Sequence, residues 1–373
     1  AAACGLLAAL AANQFSIAAG QILLALAGVG WAASAFSTNP ETGARPFDAP
    51  AFFLPLVLYG VWTLVATVFS RDPAVSLAAN KELLLLLVVP MTMSLLRGEW
   101  APRTLDVLIT VGAAVALMGV YQYTLLDYDT LGRRPEGTIG YMTYSGVLML
   151  LVCATTARLL FQPGKRTWPA LIMPALLVAL ATTLSRNAWV GALAGVAVLL
   201  LLRDFRLIAI VPVVAASALM FAPAPIVDRA YSVFDLKDPT NRDRIAMARA
   251  GFAMIDDEPL TGIGPDMVAE IYPQYRTEDA VEIEVPHLHN VPLHIAAERG
   301  LPALLLWGWF VVIAGRDLYR LVRRERSALP AAGLAALVAM VTAGLFEYNF
   351  GDSEFLVPFL ALITLPFAAI RHE

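Results

Sequence analysis

Three histidines lie close together in residues 286–294, where the sequence reads Pro-His-Leu-His-Asn-Val-Pro-Leu-His. They are His287, His289 and His294, and the whole chain contains only four histidines. An unperturbed histidine has a pKa of about 6.5, so it can accept a proton near neutral pH. We therefore take His289 as a candidate general base and His287 as a supporting candidate. The simpler alternative is a histidine that caps a helix or contacts lipid headgroups.

The same three histidines also raise the question of a metal site. Their spacing of two and then five residues does not place them on one face of a helix. The two cysteines, Cys4 and Cys153, lie in apolar runs and form no Cys-x-x-Cys pair of the kind found in zinc sites. We expect no metal ion and no cofactor.

Two arginines are candidates for binding an anion. Arg186 lies between two apolar runs, where an unpaired guanidinium is costly unless it reaches lipid headgroups or gains a partner. Arg244 opens an amphipathic stretch over residues 244–255, and the alternative for it is a surface salt bridge with Asp243 or Asp238. Guanidinium groups stay charged and bind phosphate oxygens with paired hydrogen bonds. Two fixed cations and one titratable base match the needs of transfer from a pyrophosphate-activated donor.

Four further polar residues could support these groups. Asn290 follows the candidate base, and Arg242 lies two residues before Arg244. Glu347 and Asp352 are acidic residues at the boundary between the last two apolar runs. We expect the two acids to be structural partners of an arginine first and catalytic candidates second.

Apolar runs make up most of the chain and must position these residues. Of the 373 residues, 59% are hydrophobic and 15% are charged, whereas about 25% of an average globular chain is charged. The runs are continuous rather than alternating, which favours membrane helices over a β-barrel. We predict an all-α polytopic membrane protein, a single membrane domain over residues 1–373 with about twelve spans. The predicted spans are 1–12, 16–36, 49–69, 81–96, 104–124, 141–160, 168–184, 188–202, 207–221, 301–316, 329–345 and 355–370.

Lysine and arginine residues in the short connections predict the orientation of these spans. With the N-terminus in the cytoplasm, the cytoplasmic side carries 14 such residues and the opposite side carries 5. Both termini are therefore predicted to be cytoplasmic. The formal net charge of −4 argues against a nucleic-acid partner.

Residues 222–300 form one large connection that the same topology places on the outer face. Connections of this length are uncommon, and functional ones are over-represented among them. The Thr-Gly-Ile-Gly-Pro sequence at 261–265 is predicted to be a turn. It is not a nucleotide-binding loop, because no strand precedes it.

Three patches of this sequence together resemble the O-antigen ligase and polymerase superfamily of bacterial membrane enzymes. The Ser-Arg-Asn-Ala-Trp of residues 185–189 is similar to a Ser-Arg-Gly-Ala element that opens a span in the family. Arg244 and the later Asp-Glu-Pro-Leu-Thr-Gly-Ile-Gly at 257–264 are similar to its arginine, helix and Asp-x-Pro-Leu-x-Gly-x-Gly pattern. The third patch is the His-Asn pair at 289–290, followed by nine residues and Gly300. Three residues further on, the ligases have Gly, Thr or Tyr, where this chain has Ala303.

The resemblance implies a membrane glycosyltransferase that uses a lipid-phosphate donor. O-antigen ligases transfer a polysaccharide from undecaprenyl pyrophosphate to a sugar of the lipid A core. They act with inversion on the periplasmic face of the bacterial inner membrane and need neither nucleotide sugar nor metal. By the same resemblance, Arg186 and Arg244 correspond to the arginines that hold the diphosphate, and His289 corresponds to the essential histidine.

Three other functions remain open at this point. Because Ala303 departs from the ligase pattern, an O-antigen polymerase with the same donor is the first alternative. A protein O-oligosaccharyltransferase, whose acceptor is a serine or threonine side chain, is the second. The third is a transporter of a lipid-linked sugar, which would place ionisable groups at mid-membrane and show inverted repeats.

Overall fold

The computed structural model describes residues 2–36, 49–162, 164, 166–235, 237–278 and 280–370. Three basic residues counted for the orientation, Arg45, Lys165 and Arg371, lie outside these ranges. Regular secondary structure in the described residues is entirely helical, which confirms the all-α prediction. The α-helices are α1 Ala2–Ala12, α2 Ile17–Phe36, α3 Phe53–Val68, α4 Pro73–Ala79, α5 Val88–Leu95, α6 Trp100–Leu125, α7 Tyr141–Phe161, α8 Thr167–Thr182, α9 Arg186–Arg203, α10 Ile210–Phe221, α11 Ala224–Tyr231, α12 Pro239–Asp257, α13 Val268–Tyr275, α14 Val291–Glu325, α15 Ala328–Ala343 and α16 Ser353–Ala369. Short 3₁₀ helices lie at Asn80–Leu87, Phe205–Ala209, Ser232–Phe234 and Asn349–Gly351.

The apolar helices have the lengths and composition of a multi-pass membrane protein. A helix rises 1.5 Å per residue, so about 20 residues cross the hydrocarbon core. Among the described residues, five helices are long and apolar enough to do so: Pro73–Leu95, Trp100–Leu125, Tyr141–Phe161, Arg186–Arg203 and Val291–Glu325. Shorter apolar helices coincide with the other predicted runs. The count of twelve spans, the cytoplasmic location of both termini and the location of residues 222–300 on the outer face stay predictions.

Helix α15 lies at the centre of the bundle, where it packs against α7, α9, α14 and α16. Glycines on α9 allow this close packing, as small residues do at membrane helix interfaces. A Cβ added at Gly191 or Gly195 would lie only 2.8 Å from a backbone carbonyl oxygen of α15, that of Ala339 or Ala335 respectively. This core fixes the N-terminus of α9, where Arg186 is found.

The described residues of the 222–300 segment form a packed helical cap with a small apolar core of their own. This core includes Met247 and Met254 of α12, Tyr272 of α13, and Leu288 and Leu293 near the start of α14. Helix α12 begins at Pro239, five residues before the stretch predicted from Arg244. The earlier start has two local causes, because the side chain of Asp238 accepts a hydrogen bond from the backbone N–H of Asn241 and proline suits the first helical turn.

Helix α14 starts at Val291, ten residues before the predicted span at 301, and bends at Gly300. Gly300 has φ 77° and ψ 171°, and a Cβ there would collide with the carbonyl group of Leu260. The bend frees carbonyl groups of the preceding turn. Two of these carbonyl groups accept hydrogen bonds from the 261–265 turn. The N–H of Ile263 donates to Ala297 O (2.9 Å), and the N–H of Gly264 donates to Glu298 O (3.0 Å). This turn therefore docks the cap onto the broken helix.

Candidate active site

Two cavities lie side by side between the cap and the helix bundle. The basic cavity has a volume of about 270 Å³ and the acidic cavity a volume of about 340 Å³. They share three lining residues, Met142, Asn187 and Glu347. Four arginines line the basic cavity: Arg134, Arg186, Arg229 and Arg244. Five carboxylates line the acidic cavity: Glu82, Asp266, Glu298, Glu347 and Asp352.

The structure brings the three main candidates of the sequence together. Arg186, Arg244 and His289 all line the basic cavity. Each is positioned by a different element, since Arg186 is the first residue of α9, Arg244 lies near the start of α12, and His289 precedes α14. Their convergence in space is a property of the fold, while their chemical roles stay predictions.

Arg186 is buried and held by three hydrogen bonds to the cap. Its guanidinium donates to Ser232 Oγ (2.8 Å), Asn241 Oδ1 (2.9 Å) and Asp238 Oδ1 (3.4 Å). Only 5% of the residue is exposed. The guanidinium is therefore fixed by protein groups and does not extend toward lipid headgroups.

Arg229, a residue that the sequence did not single out, joins Arg186 at the same aspartate. Its Nη1 lies 3.4 Å from Asp238 Oδ2, and its Nε donates to Leu184 O at 3.2 Å. Burial, together with the positive charge of Arg186, lowers the pKa of Arg229 to about 10. Burial opposes the charge on Asp238, but the two guanidinium groups still lower its pKa below the usual value. The single negative charge of Asp238 therefore faces the two positive charges of Arg186 and Arg229, so this corner of the cavity carries a net positive charge. Arg229 was not identifiable from sequence because residues 222–300 contain several arginines with no distinguishing pattern.

Arg134 and Arg244 complete the set of cations in the basic cavity. The Nε of each is buried and lacks a hydrogen-bond partner among the described residues. Burial lowers the pKa of both, and the charge of Glu347 opposes this shift. The guanidinium carbon of Arg134 lies 3.6 Å from the ring centroid of Tyr141. Both residues therefore present guanidinium groups with unused hydrogen-bonding capacity near the cavity.

The aspartates expected as salt-bridge partners of Arg244 are engaged elsewhere. Asp238 binds Arg186 and Arg229. The Oδ1 atom of Asp243 accepts hydrogen bonds from the N–H groups of Val281 (2.8 Å) and Glu282 (2.9 Å). The surface salt bridge considered for Arg244 is therefore not the arrangement that the structure shows.

His289 is oriented by Glu347 from the connection between α15 and α16. The Nδ1 atom of His289 lies 3.0 Å from both carboxylate oxygens of Glu347, whose Oε1 also accepts the N–H of Tyr348 at 3.0 Å. Burial disfavours the charged carboxylate, but the bond to His289 and the nearby imidazoles outweigh it and lower the pKa of Glu347 to about 2. Because a carboxylate only accepts, Nδ1 carries the proton and Nε2 of a neutral ring is the basic nitrogen. The expectation that Glu347 pairs with an arginine was wrong, since its close partner is an imidazole.

The other two histidines have different surroundings. His287 lines the acidic cavity, and its Nε2 lies 3.7 Å from Glu347 Oε1. Burial lowers the pKa of His287 to about 4, so its ring is neutral near pH 7. His294 lies inside α14, where its Nε2 is 3.3 Å from Glu298 Oε2 and its Nδ1 accepts the N–H of Leu288 at 3.4 Å. His294 therefore connects the start of α14 to the loop before it.

The remaining supporting candidates divide into two groups. Asn290 caps α14 by accepting the N–H of Leu293 (2.9 Å), and Arg242 is exposed on α12. Neither residue lines the two cavities. Asp352 does line the acidic cavity, where it accepts a hydrogen bond from the hydroxyl of Thr143 at 2.5 Å. Burial, together with the neighbouring carboxyl group of Glu354, raises the pKa of Asp352 above its usual value.

One group of side chains has the geometry to hold a metal ion. The possible ligand atoms of His287, His289 and Glu347 all lie within 4.8 Å of one another. Imidazole and carboxylate donors suit zinc. The expectation of no metal considered only the three histidines, whereas Glu347 is 58 residues from His289 and becomes a neighbour through folding.

Comparison with known proteins supports the family suggested by the sequence motifs. The family model described as O-antigen ligase matches residues 168–308. No protein of curated function matches the chain. The matched segment extends from α8 into α14 and includes Arg186, Arg244 and His289. The resemblance is thereby confirmed, and this match supports assigning the chain to the O-antigen ligase family.

Proposed function

We propose that this protein transfers a polysaccharide from undecaprenyl pyrophosphate to a sugar hydroxyl of the lipid A core at the periplasmic face of the bacterial inner membrane. The family indicates a membrane glycosyltransferase of the ligase or polymerase type, which sets the reaction class. The observation that carries the proposal is the convergence of Arg186, Arg244 and His289 on the wall of the basic cavity.

The diphosphate of the donor occupies the basic cavity, with its lipid tail among the membrane helices. Four guanidinium groups surround this space, and the Nε atoms of Arg134 and Arg244 have unused hydrogen-bonding capacity. Arg186 and Arg229 are held in place by Asp238 before the substrate arrives. Such preorganised cations lower the free energy of the transition state because they need no rearrangement as charge develops.

His289 removes the proton from the acceptor hydroxyl. Its Nε2 takes the proton as the hydroxyl oxygen attacks the anomeric carbon of the donor sugar. The bond from that carbon to the diphosphate breaks, and its electron pair leaves with the diphosphate. A new glycosidic bond forms on the opposite face, with inversion. Glu347 fixes the imidazole and stabilises its protonated form, as a carboxylate does in a histidine–aspartate pair.

The scheme assigns no step to a metal or a nucleotide sugar. The donor is already activated by its diphosphate, and the arginines supply the positive charge that a metal would otherwise provide. The partners implied are therefore the lipid-linked donor, the lipid A core acceptor and the bilayer itself.

An O-antigen polymerase is the second candidate, and a specific residue favours it. Ala303 is buried one turn after the bend at Gly300, at the position where ligases have Gly, Thr or Tyr. A polymerase would use the same donor chemistry with another lipid-linked repeat as its acceptor.

Reconstitution separates these functions. The purified protein is placed in phospholipid nanodiscs with undecaprenyl-pyrophosphate-linked polysaccharide and lipopolysaccharide that ends at its core. A ligase produces lipopolysaccharide with a ladder of attached polysaccharide, and a polymerase lengthens the donor. A protein oligosaccharyltransferase modifies an added serine-rich protein, and a transporter leaves every component covalently unchanged. Any result other than the ladder would reject the proposed ligase reaction.

A further inference from the structure

The acidic cavity is a second space next to the candidate active site, and the mechanism above does not use it. Its volume of about 340 Å³ falls within the range of about 300–1,000 Å³ that is usual for small-molecule pockets. Among the described residues that line it are five carboxylates and one arginine, Arg299. Arg299 is only 7% exposed, and its Nε lacks a hydrogen-bond partner among the described residues. A buried donor of this kind indicates that the cavity is built for a polar ligand.

We propose that the acidic cavity binds the acceptor, and that it selects a sugar with free hydroxyl groups and no phosphate. This inference rests on the proposed function and adds to it a binding site for the acceptor and a selection against phosphorylated sugars. Carboxylates accept strong hydrogen bonds from hydroxyl groups, whereas they repel phosphate. The two substrates are thus sorted by charge, with the anionic diphosphate in the basic cavity and the hydroxyl-bearing sugar in the acidic one.

Two of the five carboxylates are available to bind a ligand. Glu298 is already engaged by Arg299 (2.7 Å) and His294 (3.3 Å). Glu347 and Asp352 are likewise engaged, by His289 and Thr143 respectively. Glu82 and Asp266 line the cavity and remain exposed to solvent.

The electrostatic surroundings of Asp266 fit this role. Although part of the side chain is exposed, partial burial of its carboxyl group raises the pKa of Asp266, and the nearby charge of Glu298 raises it further, whereas His294, Arg299 and Lys81 oppose the rise. The hydroxyl groups of a bound sugar would donate hydrogen bonds to this carboxylate. A phosphate in the same place would add negative charge to an already acidic cavity.

The shared wall of the two cavities places the acceptor beside the base. Glu347 and Asn187 line both cavities, and Glu347 holds His289. The ring of His287 lines the acidic side and lies 4.3 Å, centroid to centroid, from the ring of His289. A hydroxyl group of the acceptor that extends from the acidic cavity past these shared residues therefore reaches the anomeric carbon of the donor next to the imidazole of His289.

The decisive experiment compares KM for each substrate in Glu82→Gln and Asp266→Asn variants reconstituted in nanodiscs. Each variant removes a charged acceptor of a sugar hydroxyl, so we expect KM for the acceptor to rise about 10-fold. We expect KM for the donor to stay within about two-fold of wild type, because the basic cavity is untouched. Glu270→Gln is the matched control, since this exposed glutamate of α13 lines neither cavity. A rise in donor KM alone, or no change in acceptor KM, would overturn the assignment of the two cavities.

A second measurement tests the selection against phosphate and does not depend on turnover. Binding of free core oligosaccharide is titrated with and without a phosphate on its terminal sugar. We expect wild type to bind the unphosphorylated form about 10-fold more tightly, and Asp266→Asn to narrow that difference. Equal binding of both forms by wild type would reject the proposed selectivity. Because this is a binding assay, it separates failure of the acceptor site from failure of the proposed transfer reaction.

Discussion

The Nδ1 atom of His289 lies 3.0 Å from each of the two carboxylate oxygens of Glu347. In the chain, His289 comes just before α14 and Glu347 comes just after α15, 58 positions later. His289 has a φ of 48°, a conformation that is uncommon for any residue other than glycine. The bond to Glu347 fixes the ring, and His289 lines the basic cavity. This relationship makes several outcomes measurable.

The first prediction concerns the base and the residue that orients it. We expect His289→Ala to abolish transfer, because general base catalysis contributes about 10²–10⁴-fold to rate. We expect Glu347→Gln to lower kcat by about 100-fold with little change in KM for the donor, because the amide no longer fixes the tautomer or stabilises the imidazolium. Initial rates in nanodiscs test both variants. Near wild-type rates for His289→Ala would remove this residue from the mechanism.

The second prediction concerns the two arginines identified from sequence. Loss of one preorganised donor to a developing negative charge typically costs about 10²–10³ in kcat. We expect losses of that size for Arg186→Ala and for Arg244→Ala. Arg249→Ala is the control, because this residue lies exposed on α12 and lines neither cavity. If Arg249→Ala reduced transfer as strongly as Arg244→Ala, the effect would not be specific to the cavity.

Arg229 gives a third prediction, which arises from the structure alone. Removing it leaves Asp238 to pair with Arg186 only, so the local positive charge falls. We expect Arg229→Ala to weaken donor binding about 10-fold, whereas Arg229→Lys keeps the charge and recovers part of the loss. Titration of a lipid diphosphate into the nanodisc-embedded protein measures this. Full affinity in Arg229→Ala would show that the other three arginines of the basic cavity suffice to bind the diphosphate.

The fourth prediction concerns stability and pH. The pKa of His287 is about 4 in the folded protein, chiefly because of burial, whereas an unfolded histidine titrates near 6.5. Between these values the unfolded chain binds more protons, so stability is full above about pH 6.5 and decreases as the pH falls toward about 4. We expect Tm to decrease over this window and the decrease to be smaller in His287→Gln. Thermal unfolding across a pH series tests this, and identical slopes for both proteins would contradict it.

The fifth prediction concerns metals. A chelator should leave transfer unchanged, because the proposed scheme assigns no step to a metal. Added Zn²⁺ should inhibit, because His287, His289 and Glu347 can bind it together and the base is then occupied. His287→Ala should raise the concentration of Zn²⁺ that gives half inhibition, with each protein normalised to its own metal-free rate. Loss of transfer on chelation, restored by a divalent ion, would show that a metal takes part.

The membrane helices were the most predictable part of the fold. A span needs about 20 apolar residues, so each predicted run coincides with a helix or a helix pair. Arg186, Arg244 and His289 were identifiable because each is a polar residue in a distinctive local sequence. In the cap, the early start of α14 was missed, because the polar sequence around His294 reads as a loop although its side chain is buried against Glu298 and Tyr348.

The features of the site that could not be predicted from the sequence depend on contacts between segments that are far apart in the chain. Nothing near Glu347 indicates that its partner is His289, and Arg229 is one of several arginines in its segment. The acidic cavity is assembled from carboxylates of four separate stretches of chain, such as those that contain Glu82 and Asp266. Only the packing of the cap on the bundle brings these groups together.

The small size of the basic cavity has a consequence for the polymer that this enzyme would handle. Under the proposed function, this space of about 270 Å³ would hold the diphosphate and the adjoining sugar of the donor, and it is too small for a long glycan. The outer repeats must then extend into the surrounding water and contribute little to recognition. The enzyme would be indifferent to how many repeats the glycan carries, so the distribution of product lengths would be decided before the donor arrives.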